Sequence, residues 1–157
     1  MVFLRSVLKW LTFNTCKGDE AHELQVVESY LAIQQVRFAG RLQVEIETAP
    51  DALDGLVPCF LLQPIVENAI QHGIAPRASG GLVEARVKRV GNMLWMQVKD
   101  NGCGPGGSVT EGYGIGMKNT QERLTYFYPG AHKFDAMVPA DGGYEVTIQI
   151  PYERATA

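Results

Sequence analysis

The sequence lacks the features that mark several common classes of protein. Its 157 residues include 14 Lys and Arg against 17 Asp and Glu, which gives a formal net charge of -3. Because no Lys/Arg-rich run is present, a nucleic-acid-binding surface is not expected. The apolar runs are too short or too interrupted to cross a bilayer, and residues 1–13 have neither the continuous apolar core nor the cleavage site of a signal peptide. These absences predict a globular domain in the cytoplasm that contacts neither nucleic acid nor the membrane directly.

Cysteine is also scarce. Cys16, Cys59 and Cys103 are odd in number and lie far apart in the sequence. The sequence contains no C-x-x-C pair and no His/Cys cluster with the spacing of a zinc site. Reduced thiols in a cytosolic protein are the simplest interpretation.

Glycine, in contrast, is concentrated in one segment. Seven of the 17 glycines lie between Gly102 and Gly116. Because glycine weakens helices and strands, this segment is predicted to be a loop. It is either a flexible surface loop or a loop whose backbone approaches a ligand closely. Its start, Gly102–Gly107, matches the G-x-G-x-x-G dinucleotide pattern. The sequence PGGSVTEGYG from residue 105 onward cannot form the helix that this pattern must open, and the spacing of a Walker A motif is absent.

The pattern of apolar residues outside this loop predicts a mixture of helices and strands. Residues 2–13, 19–38 and 117–128 have the spacing or the boundaries of helices. The stretch VPCFLLQPIVENAIQHG predicts another helix, with Pro58 suited to a first turn, Pro64 starting or kinking the main part and Gly73 ending it. Strands are predicted over residues 41–47, 82–90, 93–99, 134–138 and 144–150. The predicted order is therefore α-α-β-α-β-β-loop-α-β-β.

Three segments in this order resemble the motifs of the GHKL ATP-binding domains. LQPIVENAIQHG (residues 62–73) resembles the N box, VKDNGCG (98–104) the G1 box and GYGIGMKN (112–119) the G2 box. Within this superfamily the sequence is most similar to the LytS-like sensor histidine kinases, which also carry segments like ESYLAIQQVRFAGRLQVEIE, GMKNTQERL and VTIQIP. The resemblance covers roughly residues 20–151.

The resemblance implies a fold and a division of the chain. The fold is α+β, a two-layer sandwich whose mixed, mostly antiparallel sheet is covered by helices on one face. Residues 19–157 would form the ATP-binding catalytic domain. Residues 1–18 would be a helical remnant of the dimerisation and phosphoacceptor region. A homodimer that forms through this helix is therefore possible.

The resemblance also implies roles for particular residues. Asp100 would accept a hydrogen bond from the adenine amine, which guanine lacks; the alternative is a turn-forming Asp before Asn-Gly. Asn68 would bind Mg²⁺ through its amide oxygen, and Glu67 would orient the metal or a water, unless it is a solvated helix residue. The predicted nucleotide-binding set is Asn68, His72, Asp100, Gly102, Gly104, Gly112, Gly114, Ile115, Gly116, Met117 and Lys118.

The physical basis of this set differs from one part to the next. Gly102 and Gly104 allow the chain to turn beside the purine. Gly112, Gly114 and Gly116 precede a helix N-terminus, where free N–H groups favour phosphate oxygens. His72 is either a nucleotide contact or a helix-end histidine, Lys118 could reach phosphate, and Arg123 is interpreted as a surface charge.

The sequence departs from the family at several positions. Pro64 stands where ATP-hydrolysing members have a glutamate base, and Tyr144 follows Gly143 where many members have Thr supporting the adenine-binding Asp. No H-F-x-x-N-type acceptor sequence is present, and His22 does not match one. The predicted function is therefore that of a catalytic module that donates the γ-phosphoryl group of ATP to a histidine outside this chain.

This function implies partners and leaves two alternatives. The partners are ATP, Mg²⁺, the phosphoacceptor and dimerisation helical domain of the same kinase, and a response regulator. The full-length kinase could be anchored in the inner membrane. One alternative is a nucleotide-sensing interaction module without kinase activity, and the other is an anti-sigma-type serine kinase.

Overall fold

The computed structural model describes residues 17–103 and 115–154 of the chain. Its helices and strands follow in the order β-α-β-β-α-β-β-α-β-β. The strands are β1 Lys17–Asp19, β2 Leu42–Thr48, β3 Leu56–Pro58, β4 Gly81–Val90, β5 Met93–Asp100, β6 Lys133–Met137 and β7 Tyr144–Pro151. The α-helices are α1 Glu20–Arg37, α2 Gln63–Asn68 and α3 Ile115–Phe127. A π-helical segment, Ala69–Ile74, continues α2, and Pro50–Ala52 forms a 3-10 turn.

The main sheet has five strands in the order β2-β4-β5-β7-β6. The pair β2 and β4 is parallel, and the other neighbours are antiparallel. The tight turn at Gly91-Asn92 joins β4 to β5, as the sequence predicts, and Gly91 has φ of +59°. The predicted mixed, mostly antiparallel sheet is confirmed.

Helices cover one face of this sheet. Along β5, Leu94, Met96, Val98 and Asp100 are buried, while the residues between them are partly exposed, because side chains alternate between the faces of a strand. The helices contribute the other layer of the core. Their buried side chains include Leu24, Val27 and Leu31 of α1, Ile65 and Val66 of α2, and Met117 and Leu124 of α3. The domain is thus the two-layer α+β sandwich that the sequence predicts.

The structure differs from the prediction before the N box. Pro58 does not lie in a helical turn but ends β3, which pairs with β1 in an antiparallel two-stranded sheet. The helix begins later, at Gln63, with Pro64 in its first turn, where the missing N–H costs nothing. The predicted helix over residues 2–13 lies outside the described residues, so the division into 1–18 and 19–157 stays a prediction.

The two described cysteines differ in their bonding. Cys59 is disulfide-bonded, so the expectation of reduced thiols is wrong for this residue. Cys103 is a free thiol and is exposed. Across the two described ranges, no helix combines the length and the apolar character that a membrane span needs.

Candidate nucleotide-binding site

The centre of the candidate site is the carboxyl group of Asp100. Asp100 ends β5 on the helix-covered face of the sheet and is 2% exposed. Its Oδ1 accepts the backbone N–H of Gly102 at 2.8 Å, and the backbone N–H of Tyr144 also donates to the carboxyl group. Burial raises the pKa of Asp100 to about 6, against the opposing effect of these N–H groups and of the Arg77 charge. A buried carboxyl group with these properties suits the recognition of a ligand hydrogen-bond donor.

Glycines allow the chain to pack closely around Asp100 at three positions. A Cβ atom on Gly73, at the end of the N box, would lie 2.6 Å from Cγ of Asp100. A Cβ on Gly102 would overlap the backbone of Gly73, and one on Gly143 would overlap the carbonyl oxygen of Asp100. The sequence pattern predicts Gly73 only as the end of a helix. The structure shows that its missing side chain is what admits the Asp100 carboxyl group.

Tyr144 replaces the Thr that many family members have after this glycine, and its contact with Asp100 comes from the main chain. Tyr144 lies opposite Asp100 in the β5–β7 register. Because its backbone N–H reaches the carboxyl group, support for Asp100 at this position does not require a hydroxyl side chain.

The rim of the site is held by Asn101 and Arg77. The side-chain Oδ1 of Asn101 accepts the backbone N–H of Leu82 at 2.8 Å, and Nη1 of Arg77 donates to the carbonyl oxygen of Asn101. Arg77 is not among the site residues that the sequence predicts. Its only sequence signal is a basic residue shortly after the N box, which is also common on solvent-exposed loops.

The second part of the site is α2. Glu67 and Asn68 are both half-buried at its C-terminal end. Nε2 of Gln63 donates to Oε1 of Glu67 at 2.7 Å, an i,i+4 contact along one face of the helix. Burial, and then the charge of Glu67, raise the pKa of Tyr30 on α1. Glu67 is therefore a half-buried carboxylate whose position is fixed by a hydrogen bond from Gln63.

His72 lies in the π-helical segment that follows. The backbone N–H of Ala75 bonds to the carbonyl oxygen of Ile70 at 2.8 Å, which is the i→i−5 spacing of a π-helix. Such segments are frequent at functional sites. In this wide turn His72 is exposed and Gly73 is buried, and it is Gly73 that lies against Asp100.

The third part is the start of α3. Ile115 is its first residue, Gly116 and Lys118 are exposed, and Met117 is buried. A Cβ on Gly116 would lie 3.4 Å from Cβ of Pro64, so α3 begins beside the first turn of α2. Nζ of Lys118 lies 3.9 Å from Oε1 of Glu122, and both side chains are largely exposed. This weak surface pair leaves the Lys118 ammonium available to a ligand.

Part of the predicted set lies outside the described residues. This part comprises Gly104, Gly112, Gly114 and the side chain of Ile115. Among the described members, Asp100 and Gly102 lie together at the end of β5. Asn68 is the last residue of α2, and the π-helical segment that follows it brings Gly73 close to both of them.

The burial of Arg123 differs from what the sequence predicts. This residue was interpreted as a surface charge, but the structure places it on α3 with 5% exposure. Glu23, a residue that the sequence analysis did not single out, is buried with it at 2% exposure. Both positions read as ordinary charged helix residues in the sequence, so only the packing of the helices reveals them.

Comparisons with known proteins agree with the motifs. No family model matches the chain. The sensor histidine kinase BtsS of Escherichia coli (strain K12) is 33% identical over 132 residues, which cover 84% of this chain and 23% of BtsS. The sensor protein LytS of Staphylococcus epidermidis is 29% identical over 164 residues, covering 98% of this chain and 27% of LytS. The chain thus spans about a quarter of the length of these curated relatives.

The solved structures agree at the level of the fold. The catalytic domain of histidine kinase ThkA, in a nucleotide-free form, superposes with a TM-score of 0.64 at 11% identity, covering 88% of this chain and 97% of that domain. The resemblance drawn from the three motifs is therefore confirmed: over its aligned region this chain is similar to sensor histidine kinases, LytS among them, and it has the fold of histidine kinase catalytic domains such as that of ThkA.

Proposed function

We propose that this chain is the ATP-binding catalytic domain of a two-component sensor histidine kinase. It would donate the γ-phosphoryl group of ATP to a histidine outside the chain. The observation that carries the proposal is the buried Asp100 carboxyl group at a strand end, enclosed by the close approach of Gly73 and Gly102.

The described residues fit an adenine ring. The ionised Asp100 carboxylate accepts hydrogen bonds only, so it suits the exocyclic amine of adenine and opposes the carbonyl group that guanine presents there. Its raised pKa of about 6 leaves it mostly ionised at neutral pH. Gly102 lets the backbone pass the ring without a side-chain collision.

The residues also fit Mg²⁺ bound together with phosphates. Within the described ranges no group of three His, Cys, Asp or Glu side chains could hold a metal alone. Mg²⁺ usually keeps several waters and takes one or two protein ligands beside substrate phosphates. We assign the amide oxygen of Asn68 to the metal and the Glu67 carboxylate, held by Gln63, to orienting it or a bound water.

Transfer to histidine then needs mainly positioning and charge stabilisation. An acceptor imidazole nitrogen would form the new bond to the γ-phosphorus while the bond to the β–γ bridging oxygen breaks, and ADP leaves with that electron pair. Lys118 and the free N–H groups at the start of α3 would stabilise phosphate charge. Pro64 supplies no carboxylate base, so water is activated poorly and transfer is favoured over hydrolysis.

The wider setting is part of the same proposal. The partners would be the phosphoacceptor helical domain of the kinase and a response regulator. Residues 1–18 would belong to the dimerisation region, where a homodimer contact could form. The catalytic domain would lie in the cytoplasm, whatever the anchoring of the full-length kinase.

The chemistry of the transferred label tests the proposal. The chain is mixed with γ-labelled ATP, Mg²⁺ and a separate LytS-type acceptor helical domain. We expect a label on the acceptor that survives base and is lost in acid, because phosphohistidine has these stabilities. ATP binding without any label would favour a nucleotide-sensing module, and an acid-stable label on serine would favour the anti-sigma type of kinase.

A further inference from the structure

A buried carboxylate lies where the three helices meet, apart from the residues that the proposed function uses. Glu23 on α1 is 2% exposed. Its Oε2 accepts the backbone N–H of Phe60 and its Oε1 that of Leu62, each at 2.7 Å. The backbone N–H of Gln63 adds a further hydrogen bond. Glu23 therefore binds the N–H groups at the start of α2, which no intrahelical carbonyl can reach.

The N-cap residue of α2 does not provide a side-chain contact of this kind. Leu62 occupies the N-cap position and makes no side-chain capping bond. Phe60, two residues earlier, has φ of +58°, a conformation that residues other than glycine rarely adopt. The path of the chain into the N box thus depends on a side chain 39 positions away from Leu62.

Arg123 on α3 supplies the opposite charge. Burial lowers the pKa of Arg123 to about 10, and the nearby charge of Glu23 opposes this shift. Burial likewise raises the pKa of Glu23, while the backbone N–H groups and the charge of Arg123 lower it. A buried charge that loses its counter-charge is strongly destabilising. Glu23 therefore joins α1 to the start of α2 through hydrogen bonds, and Arg123, buried on α3, acts on it through its charge.

We propose that Glu23 and Arg123 are positioning residues for the phosphate and metal end of the nucleotide. The inference rests on the proposed function. Asn68 follows Leu62 by six residues, about 9 Å along the helix at 1.5 Å per residue, so a displaced start of α2 displaces Asn68. Asp100 is held by the β5–β7 pairing and by the N–H groups of Gly102 and Tyr144. It meets the N box at Gly73, five residues beyond Asn68, so a displaced start of α2 affects Asn68 more than Asp100.

This geometry predicts a selective effect on nucleotide binding. Without the Glu23 contacts, the Mg²⁺-dependent part of ATP affinity decreases, whereas the adenine-dependent part stays. A merely structural role would instead lower the stability of the fold and weaken both parts together. The ratio of affinities with and without Mg²⁺ separates the two interpretations.

The test compares Glu23→Gln with Glu28→Gln, an exposed glutamate on the same helix. The amide keeps the shape of Glu23 but has one accepting oxygen. Calorimetry measures the Kd of a non-hydrolysable ATP analogue with Mg²⁺ and with EDTA, and labelled transfer to the acceptor domain gives the rate. For Glu23→Gln we expect the Mg²⁺-dependent gain in affinity to decrease about tenfold, or about 1.4 kcal/mol, and the transfer rate to decrease with it. Affinity in EDTA and the ATP preference over GTP should stay at parental values, and Glu28→Gln should match the parent throughout.

Substitutions of Arg123 provide the second part of the test. Arg123→Lys keeps the charge and should retain more of the Mg²⁺-dependent gain than Arg123→Met, and combining Arg123→Met with Glu23→Gln should cost less than the two losses added. If circular dichroism shows that Glu23→Gln is not folded, the comparison of Arg123→Lys with Arg123→Met tests the inference by itself. Equal losses with and without Mg²⁺, or parental behaviour of all variants, would overturn the inference. A parent chain that binds no ATP would instead refute the proposed function.

Discussion

Replacing Asp100 with Asn tests the adenine site with the least change in shape. The carboxyl group receives the N–H of Gly102 at 2.8 Å and the N–H of Tyr144, and the adenine amine would be a further donor. Asn offers one accepting oxygen and one donating nitrogen. Its amide nitrogen must therefore face at least one of these donors, whichever way the side chain is turned.

The magnitude follows from this mismatch. A buried donor that loses its acceptor costs about 1–3 kcal/mol, and 1.4 kcal/mol is a factor of ten in Kd, so ATP affinity should fall by about 5- to 150-fold. The pH dependence gives a second signature. Because burial raises the pKa of Asp100 to about 6, the parent loses its ionised acceptor as the pH falls through this value. ATP affinity of the parent should fall over the same range, and more steeply than that of Asp100→Asn, whose remaining pH dependence comes from the phosphates alone.

Titration calorimetry with ATP and GTP, on either side of this pH, measures both effects. The phosphates titrate alike with the parent and the variant, so the difference between the two pH curves reports Asp100. Circular dichroism establishes that the variant is folded. Equal affinity of the parent for ATP and GTP, or an Asp100→Asn variant with parental affinity and a parental pH curve, would refute the adenine-binding role.

Two further substitutions test the neighbouring parts of the site. Gly73→Ala places a Cβ 2.6 Å from Cγ of Asp100; because the carboxyl group must then move, we expect loss of ATP binding in calorimetry, and unchanged affinity would show that the close approach is not required. Asn68→Ala should abolish Mg²⁺-dependent transfer of labelled phosphate while leaving ADP affinity in EDTA unchanged, and transfer at the parental rate would rule out its role as metal ligand.

The five strands of the main sheet and the place of Asp100 were predictable because local patterns determine them. Alternating side chains identify β5, and Asp-Asn-Gly marks its end. The tight turn at Gly91-Asn92 fixes the partner of β5 in the same way. These features depend on residues that are close in sequence, so the sequence alone contains the information.

The contacts that hold the site together depend instead on residues far apart in the chain. Glu23 binds the start of α2 across 39 positions, and nothing near Glu23 in the sequence distinguishes it from the exposed Glu28. The close approach of Gly73 to Asp100 arises from a π-helical turn that no local pattern indicated. The pairing of β1 with β3 was missed because both are only three residues long.

Phosphotransfer in trans tests the central claim most directly. The parent chain, Asn68→Ala and Glu28→Gln are each incubated with γ-labelled ATP, Mg²⁺ and a LytS-type acceptor domain, with a second acceptor that carries Ala in place of its phosphoacceptor histidine. We expect the parent and Glu28→Gln to label the intact acceptor weakly, because no tether raises the effective concentration, with a bond that is stable in base and lost in acid. Asn68→Ala and the histidine-free acceptor should give no label. Label that persists on the histidine-free acceptor, or none on the intact one despite measured ATP binding, would contradict the proposal that this chain is a histidine kinase catalytic domain.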